Sequence, residues 1–274
     1  MARDRERAGD QSRQGSQSVR RALDLLSLIA AWDRRGGLSV AEVADESGLT
    51  KPTAHRLLGE LLHAGFLEQA PDRRYQLGPE AYAVGAAAEA RYGIQQQTLA
   101  AAARLAGASE DVAVVTVRRR LHYVCIHREE GRWPVRSHVL QLGDRLPLGV
   151  GSPGLAFLAA MSPDDAEEIV AANADEVSRT FPHLPPDRVL GMIDESRARS
   201  GIGLNRGLVG DDSAGMSVAV PAANGGPGVL SIGIVAPASR MEPDREPLLT
   251  SLLLREVEHL AGRGRVRRSG RADG

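Results

Sequence analysis

GLTKPTAHRLLGELLHAGFLEQ, residues 48–69, puts a polar head in front of an apolar body. Its first turn holds Lys51, the only lysine among the 34 basic residues of the chain. On a helical wheel Ala54, Leu57, Leu58, Leu61 and Leu62 share one face. Pro52, Arg56, Gly59 and His63 point roughly the opposite way, with Thr53, His55 and Glu60 flanking them. Such a helix anchors itself through leucine and leaves a narrow polar face outward. Thr50 occupies the cap position, and Pro52 is tolerated because first-turn N–H groups lack helical partners.

The segments on either side give that helix a setting. Val19, Ala22, Leu23, Leu26, Ile29 and Ala30 repeat with helical spacing and stop before Gly36-Gly37. Ser39 and Glu42 form a capping-box pattern that opens a second helix, burying Val40, Val43 and Ala44. That helix ends at Gly48, which enters a left-handed turn without a side-chain clash. Two short helices joined by Gly48-Leu49-Thr50 are the helix-turn-helix signal. Downstream, Phe66–Gln69 and Tyr75–Leu77 read as strands around Ala70-Pro71-Asp72-Arg73-Arg74, a hairpin with two arginines at its tip. A plain three-helix bundle with a hairpin has the same elements. The capping box, the Ala44/Gly48 spacing and the basic wing agree independently on DNA binding.

Composition bounds the rest. A chain of 274 residues, 42% hydrophobic, is long enough for two modest cores, and at 3% aromatics those cores must rest on aliphatic side chains. The single cysteine, Cys125, excludes an intrachain disulfide and a multi-cysteine zinc cluster, and suits a reducing cytosol. No apolar run reads as a signal peptide or a bilayer span, so a cytoplasmic protein without membrane contact is expected. The net charge of −1 decides nothing about nucleic acid, because counterion release depends on local phosphate contacts.

The expected organisation is a polar disordered arm over 1–17, a winged helix-turn-helix domain over 18–78 and a linker helix over 79–93. An α+β domain follows over 94–262, then a solvated basic tail over 263–274. Within the second domain we expect a helix to about Ala106 and a hairpin of Val112–Val117 and Leu121–Ile126 around the turn Arg118-Arg119-Arg120. A strand near Val135–Gln141, helices near 154–161, 163–172 and 186–199, and a closing strand pair follow. Leu248, Leu249, Leu252, Leu253, Val257 and Leu260 then mark an amphipathic last helix.

Several motifs here tempt. GVGSPG, residues 149–154, spells the dinucleotide fingerprint but belongs to no strand–helix–strand unit. It reads either as a structural turn or as a loop feeding a helix N-terminus near Ser152, whose free N–H groups suit an effector carboxylate. Cys125 lies between His122 and His127, and strand alternation puts it on one face with His127 only. No Asp-Glu constellation follows in the sequence to orient either histidine, so a buried strand cysteine is the reading, with no catalytic residues, no metal site and no cofactor. His138 and His183 stand alone as surface or packing residues, and the arginine triplet reads as a solvated turn.

The run RALDLLSLIA, residues 21–30, followed by GLSVAEVADESGLTKPTAHRLLGELLHAGFLEQAPDRRYQLG, residues 37–78, resembles the amino-terminal domain of IclR-type bacterial transcriptional regulators. The Thr53-x-x-Arg56-Leu57-Leu58 core carries that likeness. LGDRLPLGVGSPGLAFLAA and GMSVAVPAANGGPGVLSIGIVAP resemble the family's effector-domain loop, helix and final strand pair. The resemblance spans about residues 18–262 and implies a GAF-like effector-binding domain. It points to an effector pocket at Gly149, Ser152, Ser217, Gly233 and Val235. Gly233 and Val235 fall where some members carry serine, and Asp211 and Asp212 are displaced from the acid that often precedes GMSVAVP.

For DNA, Lys51, Thr53, His55 and Arg56 are expected in the major groove, with Arg56 offering two parallel donors to guanine O6 and N7. Lys51 suits a phosphate near the helix N-terminus, as do Arg73 and Arg74 of the wing, and Arg20 and Arg21 add backbone contacts. The expected function is a transcriptional regulator, a repressor by default, binding double-stranded DNA at a near-palindromic operator as a homodimer or dimer of dimers. A small-molecule effector of organic-acid type modulates it. The competing readings are a constitutive DNA binder with a C-terminal oligomerisation domain, or an enzyme with a DNA-targeting head.

Overall fold

The computed structural model describes residues 2–33, 36–92, 94–135, 139–222 and 226–269, with side chains at 17–33, 36–88, 98–135, 139–222 and 226–261. The chain divides into two compact units, Met1–Gly93 and Ile94–Gly274.

The first unit holds α1 (Ala2–Trp32), α2 (Val40–Ser47), α3 (Lys51–His63), the strands β1 (Leu67–Gln69) and β2 (Tyr75–Leu77), and α4 (Pro79–Tyr92). Leu25, Ile29, Leu38, Val43, Ala54, Leu57, Leu58, Leu67 and Tyr75 form its core. The α2 capping box closes as expected: Ser39 N–H donates to Glu42 Oε2 at 2.8 Å and Glu42 N–H to Ser39 Oγ at 3.4 Å. Gly48 ends α2 at φ +66. Thr50 precedes α3, but its hydroxyl does not cap. Pro52 removes one of the two N–H groups a cap would reach, and Thr50 Oγ1 pairs with Thr53 Oγ1 at 2.9 Å instead.

Two expectations for α1 change. The helix is continuous from Ala2, where a disordered arm is expected over 1–17; Arg, Glu, Gln and Ala favour helix and no proline interrupts them. Its inward ridge is Leu25 and Ile29, spaced four apart, whereas Val19 and Leu23 are exposed. At the other terminus α9 (Glu246–Ser269) runs into the expected tail over 263–274, of which 270–274 lie outside the described residues.

The second unit is a six-stranded antiparallel sheet in the order β5-β4-β3-β8-β7-β6. Its strands are β3 (Val112–Arg119), β4 (His122–Glu129), β5 (Arg145–Pro147), β6 (Ile202–Arg206), β7 (Ser213–Val220) and β8 (Leu230–Pro237). Alternation sends Ala113, Val115, Met216, Val218, Ile232 and Ile234 to one face. There α5 (Ile94–Ser109) and α9 cover them with Ala102, Leu105, Leu249, Leu253 and Val257. The other face carries α6 (Gly151–Ala159), α7 (Pro163–Thr180) and α8 (Pro186–Ala198), packed through Leu155, Phe157, Leu158, Val170 and Ile193.

The strand expected near Val135–Gln141 is absent among the described residues, and His138 lies outside them. Pairing resumes later, because Asp144 Oδ2 accepts the Gln141 N–H and folds the chain at Gly143 before β5 joins β4. The first hairpin turns on Arg120-Leu121 rather than on three arginines, with Arg120 at φ +53. In β4 the register slips at Ile126, setting Val115 opposite His127 and Thr116 opposite Cys125. This bulge puts Cys125 and His127 on opposite faces, against simple alternation. His183 is an exposed residue whose ring nitrogen bonds to the Leu208 carbonyl at 3.0 Å and whose ring meets Phe181 edge-on.

Candidate nucleic-acid interface and effector cleft

The outward face of α3 follows from its leucine anchor. Ala54, Leu57, Leu58 and Leu61 are buried, so Lys51, Pro52, His55, Arg56 and Glu60 project to solvent, with Thr53 half-buried beside them. Arg56 makes no hydrogen bond or ion pair with any described residue. Its guanidinium is therefore free to bind two parallel acceptors. Arg20 and Arg21 are likewise exposed on α1.

The two wing arginines part company. Arg73 is exposed at the tip, at φ +66, where its N–H closes the loop onto the Ala70 carbonyl at 2.8 Å. Arg74 is turned inward. Its Nη1 donates to the Gly37 carbonyl at 2.8 Å, its Nη2 to Glu42 Oε1 at 3.0 Å, and Asp72 lies 3.7 Å from its Nε. The expected phosphate contact from Arg74 is therefore withdrawn, since the fold already occupies its donors. Next to it, Leu38 and Tyr75 exchange backbone hydrogen bonds of 3.2 and 2.8 Å, so a third strand segment backs the wing. The Ser39 backbone and hydroxyl bonds, with Arg74 added, hold the Glu42 carboxyl below the usual carboxylate range.

In the second unit, α6 begins against the β7–β6 end of the sheet, where glycines in the strands beneath it leave room for the helix. A Cβ on Gly203 of β6 would lie 2.2 Å from the Ser152 carbonyl oxygen, and one on Gly215 of β7 would lie 2.8 Å from Ser152 Oγ. Ser217 faces Gly203 on one side and Gly233 on the other, and its hydroxyl meets Ser152 Oγ at 2.9 Å. This serine pair is sealed: Ser217 is 0% and Ser152 2% exposed. The pair seats α6 on the sheet.

Beside the seat lies a cleft of about 300 Å³, part of it open to solvent. Leu140, Leu146, Val209 and Val235 give its walls, and Tyr123, Gly151, Ser152 and Asn205 its polar end. The α6 N-terminus, which borders this space through Gly151, Ser152 and Pro153, has no side-chain cap. Of the five expected effector residues, Ser152 and Val235 border the cleft. Ser217 and Gly233 lie behind its wall, taken up by the seat. Gly149 borders a separate depression of about 230 Å³ with Leu148, Asn173 and Val189. Tyr123 and Asn205 are the residues the sequence reading missed, since neither lies in a recognisable motif.

A winged helix-turn-helix head followed by a domain with an effector cleft defines a DNA-binding transcriptional regulator of the ligand-responsive kind. Residues 18–71 match the family model described as the IclR helix-turn-helix domain, and residues 86–261 match that of the bacterial transcriptional regulator IclR C-terminal domain. The chain belongs to the IclR family. It is 29% identical over 232 residues to the glycerol operon regulatory protein of Streptomyces griseus, covering 84% of this chain and 89% of that one. Its fold is shared with an IclR transcriptional regulator from Alicyclobacillus acidocaldarius at TM-score 0.74 and 20% identity, over 90% of this chain and 98% of the other. A homologue from Microbacterium hydrocarbonoxydans, solved in complex with 4-hydroxybenzoate, aligns at TM-score 0.66 and 18% identity over 88% and 99% of the two chains. No helix among the described residues is long and apolar enough to cross a membrane.

Proposed function

We propose that this regulator is a cytoplasmic repressor, acting as a homodimer or dimer of dimers on a near-palindromic operator. Lys51, Thr53, His55 and Arg56 enter the major groove, while Arg73 of the wing and Arg20 and Arg21 of α1 meet phosphates. A small organic acid in the cleft beside α6 modulates binding. The solved homologue with 4-hydroxybenzoate supports that ligand class. The repressor reading is supported by a relative, the transcriptional repressor IclR of Escherichia coli, 26% identical over 161 residues.

One observation carries the DNA reading: a cation without an internal partner stands on the outer face of a helix whose other face is fully anchored. Arg56→Ala tests it. The expected loss is about 1–3 kcal/mol on a duplex selected from random sequence by the wild-type protein, or roughly 5- to 150-fold in Kd. Random DNA should be bound almost as before, and melting should stay within about 0.5 kcal/mol of wild type, because the side chain holds nothing in the fold. Equal losses on selected and random duplexes would reduce Arg56 to a phosphate contact.

A further inference from the structure

The outward face of α3 carries a glycine that nothing inside the chain requires. Gly59 stands within a 13-residue helix, exposed, one turn beyond Arg56 on the same stripe. Between residues 36 and 78 every other glycine answers to the fold. Gly36, Gly37, Gly48 and Gly65 hold φ between +66 and +90. A Cβ on Gly78 would lie 2.4 Å from the Gly65 carbonyl oxygen. Gly59 takes no positive φ, and its Cβ would meet nothing within 4 Å among the described residues, the helix's own backbone and the chain neighbours apart. A glycine inside a helix weakens it relative to alanine. Here that weakening secures neither a turn nor a close packing contact within the head.

Helix geometry fixes what the missing side chain leaves bare. Side chains on a helix lean toward its N-terminus, so one at position 59 would cover the turn from which His55 and Arg56 emerge. The Gly59 Cα follows that of Arg56 by about 4.5 Å along the axis and about 60° around it. Leu57, Leu58 and Leu61 are buried on the opposite side, so the helix cannot roll this patch elsewhere. Inside the helix the Gly59 N–H and carbonyl belong to the backbone ladder, and what the patch offers is closeness rather than a hydrogen bond. We propose that Gly59 is a positioning residue for DNA recognition: it lets α3 settle against the duplex until the Arg56 guanidinium reaches a base edge. This deepens the DNA reading above and rests on it. A methyl group at 59 adds about 1.5 Å of bulk, one carbon–carbon bond. The two parallel bonds of a guanidinium to guanine span only about 2.7–3.2 Å and do not survive a stand-off of that size. A side chain at this position improves the helix and spoils the contact.

Gly59→Ala in the full-length protein tests this with two readouts of opposite sign. Hydrogen exchange of the α3 backbone amides should slow by about 3- to 5-fold, because alanine is the better helix former. Kd for the selected duplex should nevertheless rise about 5- to 50-fold, within the loss expected of Arg56→Ala. Gly59→Gln, a longer side chain that also favours helix, should lose at least as much. With the guanidinium gone the close approach serves less, so Arg56→Ala combined with Gly59→Ala should lose far less than the product of the two single losses. Gly191→Ala on α8 is the control: that glycine is exposed with equally open space at its Cβ, and DNA binding should not change. Wild-type affinity in Gly59→Ala, or single losses that multiply in full, would overturn the assignment. Faster α3 exchange would overturn it too, since a damaged helix would then explain the weaker binding. If Arg56→Ala fails to separate selected from random DNA, the base-reading role itself falls. A normal Arg56 result beside an indifferent Gly59→Ala sinks this inference alone.

Discussion

Gly233→Ala tests the seat of α6 directly. The added methyl carbon would lie 2.1 Å from Ser217 Oγ, 2.9 Å from the Met216 carbonyl oxygen and 3.0 Å from Ser217 Cβ. The carbonyl belongs to β7, held between β8 and β6, so the hydroxyl is the softer neighbour. Swinging it aside breaks the bond to Ser152 between two groups with no access to water. A buried hydroxyl left unpaired costs about 1–3 kcal/mol, and overpacking a tight core costs a similar amount. With partial relaxation the expected loss is about 2–4 kcal/mol, or roughly 5–15 °C in the melting temperature of a unit this size. Ser217→Ala removes the closest of these contacts together with the bond, and leaves the Met216 carbonyl and the residue 217 Cβ in place. In a double-mutant cycle the pair should therefore be less destabilising than the sum of the singles by about 1 kcal/mol or more. Chemical denaturation of the four proteins, followed by circular dichroism, gives the cycle. Additivity to within about 0.5 kcal/mol, or a Gly233→Ala protein that melts with the wild type, would refute the close approach of α6 to the sheet.

Two further outcomes follow from the shifted groups. Glu42 titrates below the ordinary glutamate value of about 4.3, so its contribution to the head is present above that pH and is lost as pH falls through the lower folded-state value. Glu42→Gln should accordingly lower the melting temperature at pH 7, with the gap to wild type closing as both are taken toward pH 3; a gap independent of pH would mean the charge is not what matters. Burial, aided by the charge of Asp144, pushes the Cys125 thiol up to about 12. Maleimide at pH 7.5 should therefore label the native protein hardly at all and the unfolded protein rapidly, and fast native labelling would contradict the buried placement.

The head was legible because its signals are local. Ser39 and Glu42 cap a helix three residues apart, and Gly48 turns the chain where it stands. The leucine spacing of α3 predicts which side chains remain outside, and the described exposures follow it from Lys51 to Glu60. Arg74 escaped that logic because its partners lie 37 and 32 residues away, on the far side of the capping box. The sheet was harder for the same reason. No strand was expected at Ile202–Arg206, yet β6 forms there, and its Gly203 lies where α6 leaves no room for a Cβ. Ser217 and Gly233 look like ligand residues in the sequence, and only cross-strand register reveals that they answer to Ser152. Tyr123 carried no signal at all, since an aromatic residue in a hairpin strand is an ordinary core residue until the cleft beside it is seen.

The inward-turned Arg74 has a mechanical consequence. Together with the backbone exchange between Leu38 and Tyr75, it rivets the base of the wing to the corner where α2 begins. A wing pinned this way has little wandering left to surrender when it meets a duplex, so ordering costs at that edge are small. The head thus brings to DNA a wing of settled outline, with Arg73 at its tip.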